Sequence, residues 1–300
     1  MGQFKRAFVF IIAMVVSLVV VATPSFADES SRVLVENSWR FQDGQSITPE
    51  EDSEDAGIST YSLSRLPDGV TAQGIDVSEH QGNINWDAVK ASGVDFAILR
   101  VGFGAPSFGG RTDYQFQRNI SECERLGIPY GIYLYSYAWD DGQAADEAAF
   151  VISNIAGHSP QLPIYYDLED NSIIADGRQG GIASRASVFC NRIINAGYKV
   201  GIYANLNWFN NILTDPVFNS PSWDHWIAQY NYQCDYAGKY SFWQYASDGS
   251  VDGISGSVDM NYAYITIESN EKKWDRADEL AAAHSSDLPD GTYTVASLVS

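Results

Sequence analysis

Between Thr71 and Ile265, strand-like and helix-like patterns alternate, and that alternation leaves the chain few architectures. Short runs rich in β-branched and aromatic residues, bounded by glycine and polar clusters, predict strands over 74–80, 96–104, 130–138, 162–169, 199–205, 225–230, 242–247 and 258–264. Between them lie helical patterns over 86–92, 114–126, 144–156 and 184–196, with a shorter one over 206–213. Gly93, Gly127, Gly157 and Gly197 each follow the end of a helical pattern, where a left-handed cap is needed. Eight strands and about five helices predict an α/β fold, an irregular (β/α)8-type barrel. The last three connections are too short for full helices, so the irregularity is expected there.

The flanks read differently. Lys5 and Arg6 precede an uncharged run from Ala7 to Thr23, then Pro24 and Ser25-Phe26-Ala27, as in a signal peptide cut after residue 27. The apolar run is slightly long for that role, which keeps an uncleaved anchor open. Residues 28–70 carry Asp, Glu and Ser without a sustained period, notably Glu50-Glu51-Asp52-Ser53-Glu54-Asp55, and predict an acidic disordered spacer. The barrel is expected over 71–265 and a charged, alanine-rich linker over 266–288. Residues 289–300 alternate like the first strand of a truncated C-terminal module.

The formal net charge of −20 argues against nucleic acid or an anionic membrane as partner. There are three cysteines, Cys123, Cys190 and Cys234, no Cys-x-x-Cys and only four histidines, so neither a metal nor another cofactor is expected. Cys123 and Cys190 fall in predicted helices, where a disulfide is open and buried free thiols are the simpler reading.

Chemistry concentrates in Leu162-Pro-Ile-Tyr-Tyr-Asp-Leu-Glu-Asp170. On a strand, residues two apart share a face, which puts Asp167 and Glu169 roughly 7 Å apart at their bases. Two like charges beside Tyr165 should titrate apart, because desolvation and repulsion raise one pKa over the other. A protonated acid next to an ionised partner is what glycosidic bond cleavage requires. An isolated Asp-x-Glu is most often an acidic turn, so the pair gains its weight from other strands.

Asp76, Ser78 and His80 share a face of the first strand, and Asp259 lies on the eighth beside Met260 and Asn261. In such barrels chemistry sits at the C-terminal strand ends, where these carboxylates can converge. Tyr133, Tyr135 and Tyr137 share a face of strand three, Tyr203 lies on strand five, and Trp243 and Tyr245 on strand seven. Flat rings stack on sugar faces while acids bond hydroxyls, so Asp259, Tyr135, Tyr137, Tyr165, Tyr203 and Trp243 are candidate substrate-binding residues. Aromatics at alternating positions also build cores. Gly102-Phe-Gly104 after a strand suggests a nucleotide loop, but the third glycine of that fingerprint would fall at Ser107 and no helix follows closely.

The motifs Gly74-Ile-Asp-Val-Ser-Glu-His-Gln-Gly-Asn-Ile-Asn-Trp86, Phe96-Ala-Ile-Leu-Arg-Val-Gly102, Tyr130-Gly-Ile-Tyr-Leu-Tyr-Ser-Tyr137, Ile164-Tyr-Tyr-Asp-Leu-Glu169, Gly201-Ile-Tyr-Ala-Asn205, Trp226-Ile-Ala-Gln-Tyr230, Phe242-Trp-Gln-Tyr245 and Val258-Asp-Met-Asn261 resemble, in order, those of glycoside hydrolase family 25 lysozymes, the Chalaropsis-type muramidases. The resemblance implies a 1,4-β-N-acetylmuramidase acting on peptidoglycan. Glu169 then matches the general acid, Asp167 its partner carboxylate, Asp76 the acid of the first motif and Asp259 that of the last. Departures are Asn85, where aspartate is frequent, and Met260, where leucine is common. Asp167 has two roles open, direct attack on the anomeric carbon or orientation of the substrate's own acetamido group. The second is preferred because two neighbours on one strand do not easily straddle a sugar, and both retain configuration. The implied partner is a peptidoglycan glycan strand, met by a monomer outside the cytoplasm, with no nucleic acid and no membrane after signal cleavage. The rival from another class is a non-catalytic glycan-binding barrel, and all four carboxylates speak against it.

Overall fold

The computed structural model describes residues 67–231 and 233–267, together with the backbone of a short ladder pairing Phe41–Gln42 with Gln45–Ser46. The predicted signal segment and C-terminal module, the linker after 267 and, apart from that ladder, the spacer before residue 67 lie outside the described residues.

Eight strands close into a barrel: β1 Ala72–Val77, β2 Phe96–Phe103, β3 Tyr130–Tyr135, β4 Ile164–Asp167, β5 Val200–Asn205, β6 Trp223–Ala228, β7 Phe242–Gly249 and β8 Val258–Ala263. Strands β1 to β7 run parallel, each beside the next, whereas β8 is antiparallel to both β7 and β1 and closes the ring. The loop between β7 and β8, 250–257, is shorter than the dozen or so residues a parallel crossover needs, so β8 reverses direction. A two-residue strand, Arg111–Thr112, extends β2 at its edge.

Among the described residues, five α-helices pack on the outside: α1 Trp86–Ala91, α2 Phe116–Leu126, α3 Asp141–Asn154, α4 Ile182–Asn195 and α5 Leu206–Asn211. Asn85, Asp140 and Asn205 accept from the first-turn amides of α1, α3 and α5, which fixes where each helix begins. Gly127 ends α2 at φ 64°, a left-handed cap. Cys123 and Cys190 are buried on α2 and α4 as free thiols, and Cys234 is half-buried and free. Among the described residues, no helix is long and apolar enough to cross a membrane.

Period-two alternation sorts every strand into an outer face under the helices and an inner face in the lumen. The outer layer holds Ile75, Val77, Leu99, Ile132, Tyr166 and Ile202 with the apolar faces of the helices. The lumen is filled in tiers. At the N-terminal end, the ring centroids of Phe96 and Phe242 lie 5.2 Å apart and those of Tyr165 and Phe242 5.9 Å apart. Gly201 makes room for this tier, since a Cβ there would come within 2.5 Å of the Tyr165 ring. Above it, Trp226 packs edge-on or tilted against Tyr133, Tyr165 and Tyr203. This apolar plug is the floor on which the polar mouth of the barrel stands.

Candidate active site

Four carboxylates converge on that mouth. Asp76 is the penultimate residue of β1 and pairs with Asp259 of β8, while Asp167 ends β4 between Tyr135 of β3 and Tyr203 of β5. Glu169 follows two residues beyond the end of β4, where Leu168 still donates its amide to the Tyr203 carbonyl at 2.9 Å. The strand therefore stops one turn of the pleat earlier than the sequence suggests, and Glu169 rides on the start of a loop. Their charges act on one another: Glu169 and Asp76 both repel Asp167, and Asp76 also repels Glu169. Tyr133 and Tyr203 both sense Asp76 and Asp167, with Asp259 acting on Tyr133 and Glu169 on Tyr203.

The electrostatics follow from the apolar floor. Burial pushes the Asp76 carboxyl up to about 6, although amide donors partly offset it. Gln244 Nε2 and Asn261 Nδ2 both donate to Asp76 Oδ2, at 2.9 Å and 2.7 Å, and Asn261 Oδ1 in turn accepts from Trp226 Nε1 at 2.8 Å. Glu169 rises to about 8, first through burial, then through the charges of Asp170 and Asp76. Asp167, 1% exposed, is held well above the ordinary aspartate range by burial and by Glu169 and Asp76, against the opposing pull of Arg100.

Among the described residues, two buried side-chain polar atoms find no hydrogen-bond partner, Asp167 Oδ1 and Glu169 Oε2. One oxygen of each of these two acids thus has no partner within the described chain and can bond a water or a ligand. Two coupled acids that titrate apart can divide proton donation from charge stabilisation. Among the described residues no group of histidines, cysteines and carboxylates could hold a metal ion.

The aromatic candidates divide by position. Tyr203 lines the lumen beneath the acids and donates to Gln244 Oε1 at 2.9 Å. Tyr135 donates to Asp170 Oδ2 at 3.0 Å, and the half-buried Tyr137 packs edge-on against Tyr135 and Phe103 at the rim. Tyr165 belongs instead to the floor. It is fully buried and its hydroxyl donates to Asp224 Oδ2, near the start of β6 at the far end of the barrel. Its phase along β4 matches Asp167, but its depth does not. Trp243 is 1% exposed on the outer face of β7, where it packs against Tyr245 and Tyr262 and donates to the Gln229 carbonyl at 2.7 Å. Neither residue is available to a ligand in the mouth. The lumen-facing neighbour of Trp243, Gln244, is the one that reaches Asp76.

Three further residues shape the site without an acidic signature. Gln244 and Asn261 hold Asp76, and their signal was their phase, two residues from Phe242 and from Asp259. Arg100, 2% exposed, lies beside Tyr133 in register; its Nε donates to Asp113 Oδ2 at 2.8 Å and its Nη2 stands 3.4 Å from Glu79 Oε1. This buried cation at the edge of the acid cluster is the one that favours ionised Asp167.

The family model for glycosyl hydrolases family 25 matches residues 75–254, more than half of the chain. The chain belongs to that family. Asp76, Asp167 and Glu169 fall inside the family 25 match, and Asp259 and Asn261 just beyond it. The autolytic lysozyme of Clostridium acetobutylicum is 28% identical over 191 residues, covering 63% of this chain and 55% of that protein. Lysozyme M1 of Streptomyces globisporus is 30% identical over 202 residues, covering 63% and 66% respectively. Among solved structures, the modular autolysin LytC from Streptococcus pneumoniae superposes with a TM-score of 0.57 at 31% identity, over 64% of this chain and 46% of that one. The chain thus spans between about half and two thirds of the length of these relatives.

Proposed function

We propose that this family 25 chain is a lysozyme that hydrolyses the β-1,4 bond between N-acetylmuramic acid and N-acetylglucosamine in peptidoglycan. The observation that carries the proposal is the pair of open, buried carboxylate oxygens on Asp167 and Glu169, in a cluster that raises both acids. The names of the clostridial and streptomycete relatives, and a LytC structure in complex with a synthetic peptidoglycan ligand, support the same substrate.

Glu169, protonated at neutral pH, gives its proton to the glycosidic oxygen as the bond to the anomeric carbon breaks. Asp167 bonds the N–H of the substrate's 2-acetamido group, so that the acetamide oxygen closes on the anomeric carbon from the opposite face. Glu169, now a carboxylate, takes a proton from the water that reopens this ring, and configuration is retained. Asp76 and Asp259 anchor hydroxyls, Asp76 also raising the Glu169 pKa. Tyr137 and Tyr135 offer ring edges at the rim, and Tyr203 closes the lumen beneath the acids. The export signal at 1–27 and the acidic spacer fit a protein that meets its substrate outside the cytoplasm, as a monomer.

The test is Glu169→Gln on purified sacculi, with released muropeptides reduced and identified by mass spectrometry. The wild-type chain should release fragments with new N-acetylmuramic acid reducing ends and the variant essentially none, a loss on the order of a thousandfold or more. Near-normal release by the variant removes Glu169 from the acid role, and N-acetylglucosamine ends refute the bond assignment.

A further inference from the structure

One buried carboxyl outside the mouth takes no part in the chemistry above. Glu147 of α3 is fully buried, yet its carboxylate reaches across to the ends of β3 and β4. Oε1 accepts the Tyr137 amide at 2.9 Å. Oε2 accepts the Tyr166 hydroxyl at 2.5 Å and the Ser136 hydroxyl at 2.9 Å. Ser136 Oγ is also 2.9 Å from the Tyr166 oxygen and accepts the Ala138 amide at 3.2 Å, and the Ser136 amide donates to the Asp167 carbonyl at 3.1 Å. One side chain thus ties three consecutive residues after β3 to the residue that precedes Asp167.

A purely structural role would be met more cheaply by an apolar residue, since a buried carboxyl costs free energy unless all its partners are in place. What the knot controls is the direction in which β3 leaves the barrel. That direction sets the Tyr135–Tyr137 corner, with ring centroids 5.1 Å apart, and brings the Tyr135 hydroxyl onto Asp170. Asp170 is in turn the neighbouring charge that most raises Glu169.

We infer that Glu147 is a positioning residue for the reaction: by fixing the exit of β3 it keeps Tyr135 on Asp170, and so keeps the Asp170 charge beside the acid. This rests on Glu169 being the general acid. Glu147→Gln keeps the shape and can still accept the Tyr137 amide, but it reverses the bonds to Tyr166 and Ser136, whose hydroxyls must now take an amide N–H while Ser136 Oγ already accepts the Ala138 amide. Without Tyr135, Asp170 is held at Oδ1, by the Ser172 amide at 2.8 Å, so Oδ2 turns away from Glu169 and the proton on Glu169 is held less tightly.

The experiment is a pH profile of kcat and KM for the full chain on soluble glycan-strand fragments, with Tm measured alongside. For Glu147→Gln, kcat should fall about tenfold or more with KM within about twofold, and the alkaline limb should move to lower pH by about half a unit or more. Val151→Ala, a core truncation on the same helix, sets the standard for lost stability alone and should leave both quantities in place. If Glu147→Gln does not fold, Ser136→Ala, which removes only the bridging hydroxyl, is read the same way and should shift the limb in the same direction. A variant that lowers Tm like Val151→Ala but leaves kcat and the limb at wild-type values overturns the inference. A wild-type profile without an alkaline limb overturns both this reading and the acid assignment, whereas an unmoved limb overturns only this one.

Discussion

Asn261→Leu should narrow the pH range of activity from both sides. Asp76 Oδ2 has two amide donors, and the one from Asn261 is the shorter at 2.7 Å against 2.9 Å from Gln244. Burial already lifts Asp76 to about 6 against the pull of these bonds. A hydrogen bond to a charged group is worth roughly 1.5–3 kcal/mol, and leucine keeps the volume so that water does not replace the lost donor. At about 1.4 kcal/mol per pKa unit, Asp76 should rise by roughly one to two units, to roughly 7–8. Near pH 6 the ionised fraction then falls about five- to fiftyfold, which carries the acid limb upward. A neutral Asp76 also stops repelling Glu169, whose pKa drops from about 8 and carries the alkaline limb downward. Initial rates on soluble glycan-strand fragments across the acid to alkaline range read both limbs. The Trp226 N–H loses its acceptor as well, so Tm will fall, but lost stability alone lowers the rate without moving either limb. A profile that coincides with wild type within about 0.3 pH unit refutes the role given to Asp76.

Two further outcomes follow from where the acids and rings sit. Folding raises Glu169 from 4.5 to about 8, so between those values the unfolded chain is ionised while the native one keeps its proton, and stability falls as pH rises through that window. Glutamine carries no such penalty, so the Tm of Glu169→Gln minus that of wild type should grow from the lower to the upper end of the window in calorimetry; a constant difference would contradict the raised pKa. The slope stays below about 1.4 kcal/mol per pH unit because Glu169 is partly exposed. Tyr165→Phe removes only the hydroxyl on Asp224, so KM and kcat should stay within about twofold of wild type while stability drops by about 1 kcal/mol, and a clear rise in KM would return Tyr165 to the substrate groove.

Two coordinates decide whether a strand residue in a closed barrel meets a ligand, and the sequence displays only one of them plainly. Phase is readable, because a two-residue period survives in any strand, and it gathered Asp76, Asp167 and Asp259 on one side. Depth is readable only once both ends of the strand are fixed: Tyr165 and Asp167 share a phase, yet one tier separates a core ring bonded to Asp224 from an acid with an open oxygen. Phase itself is ambiguous where a strand is aromatic on both faces. In Phe242-Trp-Gln-Tyr245 the bulky indole draws the eye, but Trp243 faces outward and it is the amide of Gln244 that reaches Asp76. The direction of β8 was implicit in the eight-residue loop before it, too short to recross the barrel. That reversal matters for the chemistry. An antiparallel β8 presents Asp259, near its start, at the same end as the C-terminal ends of the parallel strands, in register with Asp76. Had the strand run parallel, its N-terminal residues would lie at the opposite end with Asp224, and the fourth acid would be missing from the mouth.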